Sequence, residues 1–195
     1  MIYFDVVKGY EDKGINLPER KTAHSAGYDF EVSDDVIIPS YLKMIDEISE
    51  GERLYTLDEL AKYRPFSFRP TLVPTGVKCH LDPRTYLELS VRSSCPLKYW
   101  LIMANGVGRI DADYFENQDN DGHIFFQIIN LSPVDILLKK GDIIGQGVIH
   151  NFLTVDNDEA TGVRTGGFGS TSKWKFWLLT SLQKLLVMLF LKTKN

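Results

Sequence analysis

The chain has 195 residues, 44% hydrophobic and 25% charged, with a formal net charge of -4. That length holds one ordinary domain with a real core and some appendage, and the mixed charge leaves no basic face for a nucleic-acid duplex, so no nucleic-acid partner is expected. Cys79 and Cys95 have neither CxxC spacing nor a Cys/His cluster, which argues against a zinc framework or a disulfide scaffold and makes a reduced, cytoplasmic setting the default.

The first residues, MIYFDVVKGYEDKG, show no basic region followed by an apolar core, so no secretion signal is expected. Ile2 to Val7 alternates well enough for a first strand, Pro18 to Ser25 reads as a polar connection, and EVSDDVIIP closes an apolar run at Pro39 as a strand end. From residue 40 to about 64 the period changes. Leu42, Ile45 and Ile48, then Leu54, Leu57, Leu60 and Ala61, predict two short amphipathic helices broken at Gly51. Thr56 is placed to cap the second, with Glu59 as its capping-box partner. This is a helical insertion between strands.

After Pro70 the segments TLVPTGVKCHL, TYLELSV, GHIFFQIINLS, VDILLKK and IIGQGVIHNFL are short and β-rich, separated by Pro, Gly, Asp and Asn turns. Many short strands at near-regular spacing predict an all-β fold, an antiparallel barrel or double-sheet jelly roll, for the domain spanning 1–172. Residues 156–172 read as a glycine-rich arm, and no internal repeat is visible. The extension 173–195 carries an apolar stretch from Phe176 to Leu191, short of the roughly 20 residues a spanning helix needs. As a helix it gathers Leu178, Leu182, Leu185 and Leu189 on one face. Docking or self-association, peripheral membrane contact and a loosely ordered extension are all open to it.

Five stretches carry candidate chemistry. In NGVGRIDADYFEN, Asn105 to Asn117, Asp111 stands three residues before Tyr114 and just after Gly106 and Gly108. Glycines let a backbone approach a ligand closely, so this reads either as a turn whose main chain faces a planar ligand or as a plain β-hairpin bend. RSS, Arg92 to Ser94, follows an alternating strand and offers a guanidinium fork and two hydroxyls suited to phosphate oxygens; a salt bridge and a serine turn would look the same. GDIIGQG enters a strand with Gln146 as its one interior-capable amide. RTGGFGSTS places Arg164, Phe168, Ser170 and Thr171 among glycines, without the GK[ST] ending of a Walker A loop. AGYDF offers Asp29 after a turn glycine, a candidate partner of hydrated Mg²⁺, which needs few protein carboxylates when a triphosphate supplies oxygens.

AGYDF, RSS, NGVGRIDADY, GDIIGQG and RTGGFGSTS, in this order from residue 26 to 172, resemble the five signature motifs of the homotrimeric dUTP pyrophosphatases, most of all the forms in Gram-positive bacteria and their phages. The resemblance implies a jelly-roll subunit, dUTP as substrate, Mg²⁺ as cofactor, and a homotrimer whose active sites take motifs from all three chains. It implies that Asp111 activates the water that attacks the α-phosphorus. Tyr114 matches the ring beneath the deoxyribose, and Asn105 with the backbone through Ile110 matches a hairpin that reads uracil. Arg92, Ser93, Ser94 and Gln146 match phosphate contacts, and Asp29 matches the carboxylate linked to Mg²⁺ through water. Arg164, Phe168, Ser170 and Thr171 match an arm that closes from a neighbouring subunit.

Three departures stand out. Ile143 occupies a place where the family usually has a basic residue, Arg109 occupies an apolar place and is the candidate replacement for that charge, and FENQDNDGHI is longer than the usual compact turn. The rival reading is a dCTP deaminase, which needs a catalytic Glu where this chain has Gln127. A second rival adds a protein partner, bound through the 40–64 insertion, to the hydrolase.

Overall fold

The computed structural model describes residues 1–46, 69–164 and 166–167. Among them run strands β1 (Tyr3–Val6), β2 (Tyr28–Glu31), β3 (Val36–Ile38), β4 (Thr71–Pro74), β5 (Val77–His80), β6 (Thr85–Val91), β7 (Leu101–Met103), β8 (Gly108–Asp111), β9 (Phe125–Asn130), β10 (Ile136–Leu138) and β11 (Ile143–Asn151). The described helices are short: α1 (Tyr41–Asp46) and α2 (Ser94–Tyr99).

A four-stranded sheet in the order β2-β11-β6-β8 lies against a three-stranded sheet in the order β4-β9-β7, and the pairs β1-β5 and β3-β10 complete the body. All these ladders are antiparallel. The all-β, jelly-roll-like expectation holds. Its physical basis is the two-residue period of the strands: Leu87 and Leu89 of β6 and Ile110 of β8 point inward, and so do Phe126 and Ile128 of β9. Phe30 of β2 meets Phe126 across the core with ring centroids 5.7 Å apart at 62°, an edge-on geometry that aromatic pairs prefer.

Strand β11 explains its own glycines. Gly145 and Gly147 face inward, and a Cβ on Gly145 would sit 2.1 Å from the Phe126 ring. At Gly147 a Cβ would meet Leu87 and Phe30 at 2.8 Å. The two bare positions let large rings from both sheets press against the strand's backbone. Gln146, between them, is therefore outward, not interior.

Helix α1 stands where the first insertion helix is predicted; Gly51, the Leu54 to Ala61 stripe and its Thr56 cap lie outside the described residues. So do Phe168, Ser170, Thr171 and the 173–195 extension. No helix among the described residues is long and apolar enough to cross a membrane.

Candidate active site

The predicted residues fall into two clusters at opposite ends of the outer face of the four-stranded sheet. At one end Gln146 on β11 is in register with both Asp29 on β2 and Ser90 on β6. Its side chain lies so close over Gly27 that a Cβ there would be 2.5 Å from its Oε1. Arg92 leaves the end of β6 with Nη1 3.7 Å from Asp29 Oδ2. Ser93 is exposed at the start of α2 and makes no capping bond with its side chain. The next residue but one anchors the turn: Cys95 N–H donates to Arg92 O at 2.9 Å, and its buried thiol donates to Ile144 O at 3.3 Å. Burial pushes that thiol up from its ordinary range, so it stays protonated and serves as a bolt between turn and strand.

At the other end Asp111 is the last residue of β8, on the outer face and exposed. The preceding residues do not form a hairpin of paired strands: β7 pairs with β9, and β8 pairs with β6. Asn105 and Gly106 instead make an exposed connection between sheets, with Gly106 at φ +72, where glycine is favoured. Ile110 is buried, so it faces any ligand through its backbone alone. After Asp111 a 3-10 turn, Ala112–Tyr114, carries Tyr114 inward to 4% exposure. Its hydroxyl donates to His123 O at 2.9 Å and accepts from Asn120 Nδ2 at 2.8 Å. Burial raises the phenol's pKa, and the Asn120 bond opposes that rise.

Arg164 closes this cluster. Its Nη2 donates to Asp111 Oδ2 at 2.7 Å, its Nε donates to Asp113 Oδ1 at 2.8 Å, and the guanidinium carbon stands 5.7 Å from the Tyr114 ring centroid. The Arg164 side chain is only 12% exposed, although each carboxylate it bridges is more than half exposed. A forked cation holds two carboxylates better than an ammonium could.

Register fixes how far apart the clusters are. Tyr86 on β6 lies opposite Asp111, while Ser90 lies opposite Gln146. Four residues of strand span roughly 13 Å, and Arg92 stands farther still, roughly 20 Å from Tyr86. One chain therefore does not bring Asp111 to Arg92. The same register keeps Arg109 away from Ile143 within one chain: Arg109 is paired with Glu88, whose Oε2 is 3.9 Å away, near the Asp111 end. Ile143 lines a polar cleft with Glu19, Lys21, Asp29 and Glu31.

Residues 54–172 match the family model described as dUTPase. The chain belongs to the dUTPase family. Among relatives of this dUTPase, a deoxyuridine 5'-triphosphate nucleotidohydrolase of Lactococcus lactis subsp. lactis (strain IL1403) is 38% identical over 171 residues, 86% of this chain and 95% of its own. The crystal structure of dUTPase from Streptococcus mutans superposes with a TM-score of 0.61 at 34% identity, covering 78% of this chain and 98% of that one. A mutant dUTPase from phage phi11 of S. aureus, whose structure reveals the coordination of a structural Mg(II) ion, shares the fold with a TM-score of 0.54 at 15% identity, over 83% and 97% of the two chains.

The residues that sequence reasoning passed over are Asp113, Asp119, Asn120 and His123. The longer FENQDNDGHI stretch is the one trace in the sequence of the last three of these. In the structure it is an anchored loop rather than slack. Lys78, 4% exposed, donates to Asp121 at 2.9 Å and Glu116 at 3.2 Å from beneath it. Asn117 Nδ2 donates to Asn120 Oδ1 at 2.8 Å, and a Cβ on Gly122 would meet Glu116 N at 2.9 Å.

Proposed function

We propose that this dUTPase hydrolyses dUTP to dUMP and pyrophosphate at sites shared between the subunits of a homotrimer. The carrying observation is the distance along β6 between the Asp111 end and the Arg92 end. A base for water and a cradle for phosphates must meet within hydrogen-bond reach of one substrate, and only a second copy can supply the missing half. Cyclic symmetry then repeats the site at each interface.

In this reading Asp111 takes a proton from water as the water oxygen bonds to the α-phosphorus and the bond to the α-β bridging oxygen breaks. Ser93, exposed at the start of α2, donates toward that departing oxygen, and Arg92 and Gln146 hold phosphate oxygens. Tyr114 supports the deoxyribose, and the exposed backbone from Asn105 to Ile110 meets the base. Arg164, with Phe168, Ser170 and Thr171 of the arm, completes the substrate contacts.

Among the described residues Mg²⁺ fits through Asp29. Among the described residues no group of three or more His, Cys, Asp or Glu side chains could hold a metal, and Asp29, its side chain 10% exposed, is a single carboxylate shared with Arg92. Asp29 would therefore accept hydrogen bonds from metal-bound waters, while triphosphate oxygens hold the ion. When bound, the ion would offset phosphate charge. The work left to Asp29 is to orient those waters and to keep Arg92 aimed.

The test has two parts. Purified protein is expected to release pyrophosphate from dUTP far faster than from dTTP, dCTP or UTP, with Mg²⁺ present; equal rates would remove dUTP as the substrate. Mixing Arg92→Ala chains with Asp111→Asn chains in equal amounts is expected to restore about a quarter of wild-type activity, since that share of interfaces joins two intact halves. No restoration above the separate variants would mean the site lies within one chain.

A further inference from the structure

The cleft beside Asp29, about 390 Å³ in volume, is walled by the carboxylates of Glu19, Asp29 and Glu31 and by one cationic side chain, Lys21. Ile143 stands opposite Glu31 in the ladder between β2 and β11, so it reaches this cleft without bringing a charge to it. Glu31 takes a hydrogen bond from Asn16 Nδ2 at 2.9 Å instead, a neutral partner. Arg92 offsets Asp29 alone. A polyphosphate arriving beside Asp29 therefore meets mostly carboxylates, and like charges at short range repel.

Lys21 is carried on an anchored lip. Asp29 N–H donates to Glu19 O at 3.0 Å, an antiparallel bridge that ties residue 19 to β2, and Pro18 just before it is buried. The neighbouring Arg20 is committed to the turn that follows, with Nη1 donating to Ala23 O at 3.1 Å and to Ser25 O at 2.9 Å. Lys21 Nζ donates to Glu19 on the same lip. That pair is open to solvent, with the Lys21 side chain 51% and the Glu19 side chain 69% exposed, so a change of partner costs little. The Glu19 bond first, then the nearby charges of Asp29 and Glu31, raise the pKa of the ammonium against an opposing effect of desolvation. It is charged when a ligand arrives.

We propose that Lys21 binds the outer phosphates of the nucleotide, supplying to the cleft the positive charge that Ile143 does not. Glu19 is its resting partner. When a triphosphate lies along Arg92, Gln146 and Asp29, the ammonium turns from a carboxylate oxygen to a phosphate oxygen, and only hydrogen bonds and ion pairs are exchanged. Lysine suits such a swap, because its charge is compact and sits on a flexible stem with three donors, whereas the planar fork of an arginine favours one fixed geometry. A monophosphate has no group that reaches the cleft. Lys21 thus favours the triphosphate substrate over the product without retaining the product. The inference rests on the dUTP reading for its ligand and adds a contact to it.

The deciding experiment compares Lys21→Met with wild type, both as full chains with Mg²⁺ present, by calorimetric titration with two ligands. One is a dUTP analogue that resists hydrolysis because nitrogen replaces its α-β bridging oxygen; the other is dUMP. The variant is expected to bind the analogue about tenfold more weakly, the worth of one charge-assisted hydrogen bond, with its affinity for dUMP unchanged. Equal affinity for the analogue in both proteins would overturn the proposal. So would an equal loss for dUMP, which would make Lys21 a support of the lip and nothing more. Adding Ile143→Arg to Lys21→Met places a cation opposite Glu31, and most of the lost affinity should return. No return would mean that charge in this cleft is not what Lys21 supplies. A wild-type protein that binds neither ligand would remove the dUTP reading along with this contact, whereas a binding wild type matched by Lys21→Met would remove the contact alone.

Discussion

The two ends of the four-stranded sheet are made by different means. The phosphate end is strand-built: Asp29, Gln146 and Ser90 sit in one register row, held by the core behind them. The carboxylate end adds a loop to its strand: Asp111 closes β8, Arg164 and Asn120 bond Asp111 and Tyr114, and the buried Lys78 holds the loop through Glu116 and Asp121. Backbone ladders dominate at the first end, and side-chain networks add to them at the second. On the proposed reading, the strand-built end is suited to holding a triphosphate throughout, whereas Asp111 must give up Arg164 to take a proton from water.

That contrast can be broken most sharply at Asp111. Asp111→Asn keeps the shape and removes the base, so turnover should fall by about a thousandfold while nucleotide binding persists. Turnover near wild type, measured as pyrophosphate release, would take the reacting group away from this end. On the strand-built end, Gly145→Ala should destabilise the fold by about 3 kcal/mol, because its methyl must displace the Phe126 ring. Denaturant midpoints within error of wild type would show that β11 yields where the packing says it cannot.

Acid separates the two ends further. His123, 5% exposed beneath the loop, accepts a hydrogen bond from Gly76 N–H at Nε2, 2.8 Å away. Burial pushes its pKa down from 6.5 to about 4. Above pH 6.5 the ring is neutral both folded and unfolded, and this stabilisation is complete. As pH falls toward 4, only the unfolded chain takes up the proton, so stability drops by up to about 3 kcal/mol. Chemical denaturation across that window should show the loss, and His123→Gln should flatten it. Lys78→Ala should cost about 2 kcal/mol by leaving the poorly exposed Asp121 with Lys8 as its remaining cation, with thermal melting as the measure. The smallest effect is reserved for Asp119→Ala: about a fivefold rise in KM for dUTP from one lost hydrogen bond to the arm, with the melting temperature unchanged.

What the sequence disclosed follows from where each constraint is local. TYLELSV alternates by itself, so β6 is legible residue for residue, and Arg92 follows at its end as expected. The order of motifs placed Asp29, Gln146 and Asp111 without needing the fold. Strands β2 and β8 escaped notice because AGYDF and GRID, rich in Gly and Asp, have the composition of turns. They become strands through partners far along the chain, β11 for the first and β6 for the second. Gly145 and Gly147 likewise look like turn residues until Phe126 and Phe30 are packed on them. The loop's long-range contacts were hidden for the same reason: Asp113 and Asp119 are ordinary polar residues until Arg164 and Gly167 reach them from some fifty positions away.

The place of β11 bears on how the molecule comes into being. This last described strand is not an edge but lies between β2 and β6, so the sheet has a gap down its middle until residue 151 has emerged from the ribosome. Joining β2 to so distant a partner is an entropically demanding closure and slows folding. Nascent chains halted short of Ile143 would display two unfilled strand edges, which invite association with other chains. Closure of the four-stranded sheet thus waits until β11 has been made.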